Sequence, residues 1–196
     1  MTDKEKCALE TIFARRSVRN FIADKKVEKW KIIKLLEAAM AAPSAGNTQP
    51  WEFIVVTDEE KIERLRNVTE INAPMAIITC ANPAYIPWED DGDWKIDCSA
   101  AVENMLIAAV ELGLGSLWIG AIDILRETFG IPEHIKVLNL TYFGYTDMDI
   151  QSGTRYAEDA VFWEAYDPSR IRPAKKKVDY GGITLNDLSV NPPASE

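Results

Sequence analysis

Residues 98–120 read CSAAVENMLIAAVELGLGSLWIG, and this stretch decides how the chain folds. Ala100, Ala101, Val102, Met105, Leu106, Ile107, Ala108, Ala109 and Val110 leave almost no polar face. The spacing predicts a helix over Cys98–Leu112 that is buried nearly all round. Gly113 is suited to end it, and Ser116-Leu117-Trp118-Ile119-Gly120 follows as a short segment. A helix enclosed on all sides requires other elements packed around it.

Those elements are found on either side. Upstream, Pro74 precedes a fully apolar strand, Met75–Cys80, and Trp51–Val56 reads as a strand by its β-branched content. Downstream, Val137–Tyr145 reads as a central strand. Residues 5–14 predict a helix with Leu9, Ile12 and Phe13 on one side. Val27–Ala42 predicts another, with Trp30, Ile33, Leu36, Ala39 and Met40 at helical spacing and Pro43 as its stop. Asp58 is a candidate cap for a helix over residues 59–68, and a short helix is expected near Asp123–Phe129. Residues 82–97 look irregular, rich in aromatics and acids: Tyr85, Trp88, Glu89, Asp90, Asp91, Asp93, Trp94 and Asp97. After Trp163 the pattern fades into Pro168, Pro173, Lys175–Lys177, Gly181-Gly182 and Pro192-Pro193. The expected class is α+β, one sheet flanked by helices with a central buried helix. Residues 1–164 form the domain, and 165–196 form a disordered end or an arm lying on another surface.

The composition narrows the function. The chain has 196 residues, 47% of them hydrophobic and 27% charged, enough for one domain with a full core. A net charge of −9 argues against a general nucleic-acid binder. No apolar run is long enough to span a bilayer, and the opening MTDKEKCALE is too polar for a secretory signal. Cys7, Cys80 and Cys98 are far apart and odd in number, which suits reduced thiols in a cytoplasmic protein. One histidine, His134, cannot build a His-rich metal site. A bound cofactor is therefore attractive as the source of chemistry.

Charge is also unevenly spread. Residues 1–34 carry a net +5 on an otherwise acidic chain. Within them, Arg15, Arg16 and Arg19 crowd around Ser17. Guanidinium groups so close repel one another unless an anion or carboxylates sit among them, and their fork matches phosphate oxygens. The alternative is a solvated basic turn. The loop Pro43–Pro50 is built of small residues, with Ser44, Asn47 and Gln49 as donors and acceptors. It suits the polar edge of a heterocycle, or is a plain helix-to-strand connection. Neither a GxGxxG fingerprint nor a GxxxxGK[ST] loop occurs.

Taken in order, RRSVRNF (15–21), APSAGNTQPWEFIVV (42–56), AAVENMLIAAVELGLGSLWIGA (100–121) and FGIPE (129–133) resemble the FMN-dependent nitroreductase family. The resemblance spans roughly residues 9–163. It implies an α+β sandwich with a central, mostly antiparallel sheet, a homodimer, and two FMN molecules at the subunit interface. It implies that Arg15, Arg16 and Ser17 bind the FMN phosphate and ribityl, and that Arg19 reaches the pyrimidine edge. Ser44, Ala45 and Asn47 would line the flavin, Ser44 from the partner subunit. Trp118, Ile119 and Gly120 would run past the ring with a backbone N–H toward N5, and Arg155 would close on the phosphate. Arg66 or Asn67, on the helix after the strand at 51–56, is a further candidate. Gly144-Tyr145-Thr146 departs from the family's Gly-Tyr-Pro.

The implied activity is NAD(P)H-dependent reduction of nitroaromatics, quinones or related electrophiles, by a ping-pong cycle with hydride transfer through flavin N5. No protein nucleophile is then required, and no metal. A specialised flavin reductase or dehalogenase with a selective lid at 82–97 is an alternative, as is a flavin-binding redox sensor. Trp88 and Trp94 belong either to such a lid or to the dimer seam. His134 reads as a loop residue and the cysteines as structural.

Overall fold

The computed structural model describes residues 8–89, 92–148 and 158–170. Four apolar segments pair as strands: β1 Trp51–Val56, β2 Met75–Ala81, β3 Gly115–Gly120 and β4 Lys136–Gly144. They form one sheet in the order β1-β2-β4-β3, antiparallel throughout. All of β2 is buried, which is why its sequence is apolar without alternation: both of its faces are covered.

The pleat sends alternate side chains to two cores. On one face Val56, Ala76, Ile78, Leu117, Leu140 and Tyr142 pack with Ile62 and Leu65 of α3 (Glu59–Thr69) and Leu125 of α5 (Ile124–Phe129). On the other, Trp51, Met75, Ile77 and Phe143 lie beneath α2 (Lys29–Met40) and α4 (Asp93–Glu111). The helix α1 (Ala8–Ala14) packs beside α4. Asp58 caps α3 as expected, its carboxylate accepting from the Lys61 N–H at 3.1 Å.

Three expectations need correction. The central helix begins at Asp93, not Cys98, so the irregular stretch shrinks to the connection before it, with one short turn at Pro83–Tyr85. Burial of α4 is not all round. Asp97, Cys98, Ala101, Val102, Met105, Leu106 and Ala109 are buried, whereas Glu103 and Glu111 face water. In α2 the residues that enter the core are Leu35 and Ala39, while Trp30, Ile33 and Met40 are exposed. That helix is apolar on more than one face, and α4 covers only one. Among the described residues no helix is long and apolar enough to cross a membrane.

Candidate functional site

The basic segment leaves α1 and is pinned along the end of the sheet. Ser17 bridges Ser116 of β3 in parallel, and the Val18 N–H donates to Ser116 O at 2.9 Å. Farther on, the Ile22 N–H donates to Tyr145 O at 2.8 Å. Between them the Asn72 amide clamps Phe21, accepting its N–H and donating to its C=O, each at 2.9 Å. Val18 and Phe21 are buried as anchors. A glycine is required at 115, because a Cβ there would come within 2.8 Å of Val18 Cγ2. Close approach of two backbones is what places the arginines at the head of β3.

The three guanidinium groups are differently engaged. Arg15 Nε lies 3.5 Å from Glu103 Oε1 of α4, with both side chains partly in water. Arg16 Nη1 donates to the carbonyl of Arg15 at 2.6 Å. Arg19 Nε is buried with no hydrogen-bond partner among the described residues. A buried donor left unpaired costs about 1–3 kcal/mol.

The small-residue loop forms a tight turn at Ala45–Asn47. Gly46, Asn47 and Gln49 all take left-handed backbone angles, with φ of 54°, 56° and 48°. The turn is closed by the Asn47 N–H on Ser44 O, and by Ser44 Oγ, which accepts from the Gln49 N–H at 3.0 Å. The Ala45 N–H donates to Asp97 Oδ1 of α4, also at 3.0 Å. Trp88 lies against Gly46, so that a Cβ at this position would be 2.8 Å from its ring.

The third part is β3 itself, an edge strand on which Trp118 and Ile119 are half-buried and Gly120 is exposed. Beneath it, Asn139 and Thr141 of β4 lie opposite Gly120 and Trp118. Both are fully buried, and Asn139 Nδ2 donates to Thr141 Oγ1 at 2.7 Å.

A profile of the nitroreductase family matches residues 12–89 and 71–145. This chain belongs to the nitroreductase family. It is 40% identical over 185 residues to an Archaeoglobus fulgidus protein with the provisional name NADH dehydrogenase/NAD(P)H nitroreductase, covering 87% of this chain and 99% of that one. An FMN-dependent nitroreductase from Clostridium difficile superposes with a TM-score of 0.66 at 31% identity, covering 80% and 98% of the two chains. A Desulfovibrio desulfuricans structure provisionally named a nitroreductase, in complex with FMN, gives 0.71 at 26% identity, covering 84% and 100%.

In this member of the family the two candidate segments are each tied to α4, Arg15 at Glu103 and Ala45 at Asp97. Six positions along a helix are about 9 Å of rise and about 120° of rotation. A single chain therefore presents them on different sides of α4. Arg155 lies outside the described residues. Arg66 is not placed with the other candidates. It pairs with Glu63 and lines a groove beside β1, the opposite sheet edge from β3. Asn67 is exposed on the same helix. Trp94 packs in the first turn of α4 against the core, and only Trp88 reaches the loop.

His134 is exposed in a turn whose carbonyls, Ile131 O and Ile135 O, accept from Arg126. Cys80 and Cys98 are free and buried. Burial, with a smaller contribution from Asp97, pushes the Cys98 thiol up to about 12, and burial followed by Glu52 pushes Cys80 to about 11. Neither is a nucleophile at neutral pH. Sequence reasoning missed Asp97 and Asn72, which hold the candidate segments, and Asn139, buried beneath β3. The one local signal was Asn139 and Thr141, two polar residues at strand spacing in an otherwise apolar run.

Proposed function

We propose that this nitroreductase is an FMN-dependent NAD(P)H oxidoreductase that works as a homodimer on nitroaromatics, quinones or related electrophiles. The observation that carries the reading is the arginine segment pinned on β3 with Arg19 Nε buried and unpartnered. The residues fit the cofactor. Arg15, Arg16 and Ser17 would hold the phosphate and ribityl, with Arg155 closing over them. Arg19 would meet the pyrimidine edge, where a guanidinium favours negative charge. Trp118, Ile119 and Gly120 would offer backbone groups along the ring from β3, the edge strand of the sheet. Bound FMN supplies the redox chemistry, accepting electrons from NAD(P)H and passing them to the acceptor.

Ser44, Ala45 and Asn47 complete the pocket from the partner subunit. Two features support this arrangement. One is the separation of the two segments around α4. The other is the exposed apolar set Leu9, Ile12 and Phe13 on α1 with Trp30, Ile33 and Met40 on α2, more than a solitary domain usually leaves uncovered. The segment beyond residue 164 is the proposed arm. An open groove of about 970 Å³ beside β1, walled by Ile32, Ile33, Leu36, Val55 and Ile62, offers apolar cover for it. The unpaired thiols are in keeping with a reducing, cytoplasmic setting.

An absorbance spectrum and initial rates test the reading. The purified protein should be yellow, bleach anaerobically with NADH or NADPH, and give parallel double-reciprocal lines against a quinone. Intersecting lines remove the ping-pong cycle. Bleaching by dithionite but never by NAD(P)H turns the protein into a flavin-binding sensor, and a colourless protein indifferent to added FMN ends the proposal.

A further inference from the structure

We propose that Asp97 is the positioning residue that holds the Ser44–Asn47 turn in the shape that meets the flavin, with Trp88 as its second brace; the flavin part rests on the functional reading above. The turn is costly to keep. Of the four consecutive positions from Gly46 to Gln49, three have left-handed backbone: Gly46, Asn47 and Gln49. Only the first is a glycine, and side-chain-bearing residues adopt that region reluctantly. Such conformations persist where the surroundings over-determine them, and they collect at functional sites.

The supports can be named. Ser44 Oγ fixes the exit of the turn through the Gln49 N–H. Trp88 covers Gly46 from the connection between β2 and α4. That connection is itself fastened to the far end of the loop, since the Asn82 N–H donates to Pro50 O at 2.8 Å and its side-chain amide to Glu52 at 2.9 Å. Asp97 takes the Ala45 N–H, the entrance to the turn.

Of these supports Asp97 alone is rooted in the core. It is 4% exposed and sits on the buried stripe of α4 beside Cys98 and Ala101. Its second oxygen, Oδ2, is buried with no hydrogen-bond partner among the described residues. An apolar residue there would avoid that desolvation penalty, so the fold alone does not call for a carboxylate. The bond to Ala45 does. Because α4 also carries Glu103, which meets Arg15, one rigid helix sets the position of both flavin-binding segments. Asp97 thereby links the core to the loop, and the loop to the cofactor.

The experiment compares wild type, Asp97→Ala, Asp97→Asn and Trp88→Ala by amide hydrogen exchange of the apoprotein and by FMN titration followed through flavin fluorescence. Asp97→Ala should speed exchange in the peptide covering 43–50 while the β2 and β4 peptides keep wild-type protection. It should also raise the FMN dissociation constant roughly tenfold or more, the range for a hydrogen bond to a charged group. Asp97→Asn keeps an acceptor oxygen and should restore both readouts to near wild type. Trp88→Ala should loosen the same peptide and no other. Should Asp97→Ala not fold, Asp97→Ser, whose hydroxyl is too short to reach Ala45, takes its place. Wild-type FMN affinity in the Ala or Ser variant overturns the proposal, as does an Asn variant that is as weak as the Ala one. The two readings fail separately. A wild-type protein that never binds FMN removes the functional reading, while the exchange pattern still reports whether Asp97 holds the turn.

Discussion

Arg15 meets Glu103 at 3.5 Å with both side chains partly solvated, a pairing that contributes no more than about 1 kcal/mol to stability. Its removal should therefore register on ligand binding and scarcely on the fold. Arg15→Ala is expected to weaken FMN binding by about 1.5–3 kcal/mol, with little change in melting temperature. Unchanged flavin affinity in a fluorescence titration would refute the phosphate assignment. The arginine cluster was legible because three guanidinium groups within five positions create a local electrostatic problem that any reader of the chain can pose. Asp97 and Asn72 were not legible. Their partners are backbone groups of Ala45 and Phe21, 52 and 51 positions away, and a lone Asp or Asn in sequence carries no mark of a backbone partner across the fold.

Elements were read well where one face of the chain decides them. The unbroken apolar run of β2 and the Asp58 cap of α3 each carry their cause within a few residues. The start of α4 was missed because its first turn, Asp93-Trp94-Lys95-Ile96-Asp97, mixes charge with an isoleucine that is 70% exposed, so helical periodicity fades before the helix does. Packing of α4 on β2 has a consequence for pH. Cys98 Sγ sits 3.6 Å from the Cys80 carbonyl oxygen, and both thiols are held above the ordinary value of 9, at about 12 and about 11. In the unfolded chain each would lose its proton near 9, whereas in the fold each keeps it. Their contribution is thus complete below pH 9 and is lost as pH rises from there toward the folded values. Urea unfolding should show stability falling by on the order of 1 kcal/mol per thiol at about pH 10, and Cys98→Ala should flatten that slope. Tyr142, raised by the same burial, acts in the same direction at higher pH. A slope that Cys98→Ala leaves unchanged would show that the buried thiols do not govern the alkaline limb. At neutral pH both should resist alkylation until the protein unfolds.

At the scale of the whole molecule, apolar side chains of α1 and α2 are exposed and an apolar groove lies open beside β1 among the described residues. The helical spacing of Trp30, Ile33 and Met40 was legible, but their destination was not. Periodicity records that a face is apolar, and a neighbour in the same chain and a neighbour in another satisfy it equally. The sequence beyond residue 164 has its own apolar side chains, among them Ile171, Val178, Tyr180, Ile183, Leu185, Leu188 and Val190, too few and too interrupted by Pro and Gly to build a separate core. Placed on a partner, they would add to a dimer without adding to the fold of either subunit. Covering even two of them contributes about 3 kcal/mol, roughly a hundredfold in dissociation constant. Deleting 165–196 should therefore leave the unfolding of the domain close to its original midpoint while shifting the monomer–dimer equilibrium to higher concentration. Mass photometry at nanomolar protein resolves the two species directly. Because Ser44, Ala45 and Asn47 are assigned to the partner's flavin, FMN affinity should fall with dilution over the same concentration range in which the truncated dimer separates. A truncated protein that stays dimeric at nanomolar concentration removes the arm, and FMN affinity that is indifferent to dissociation removes the shared site.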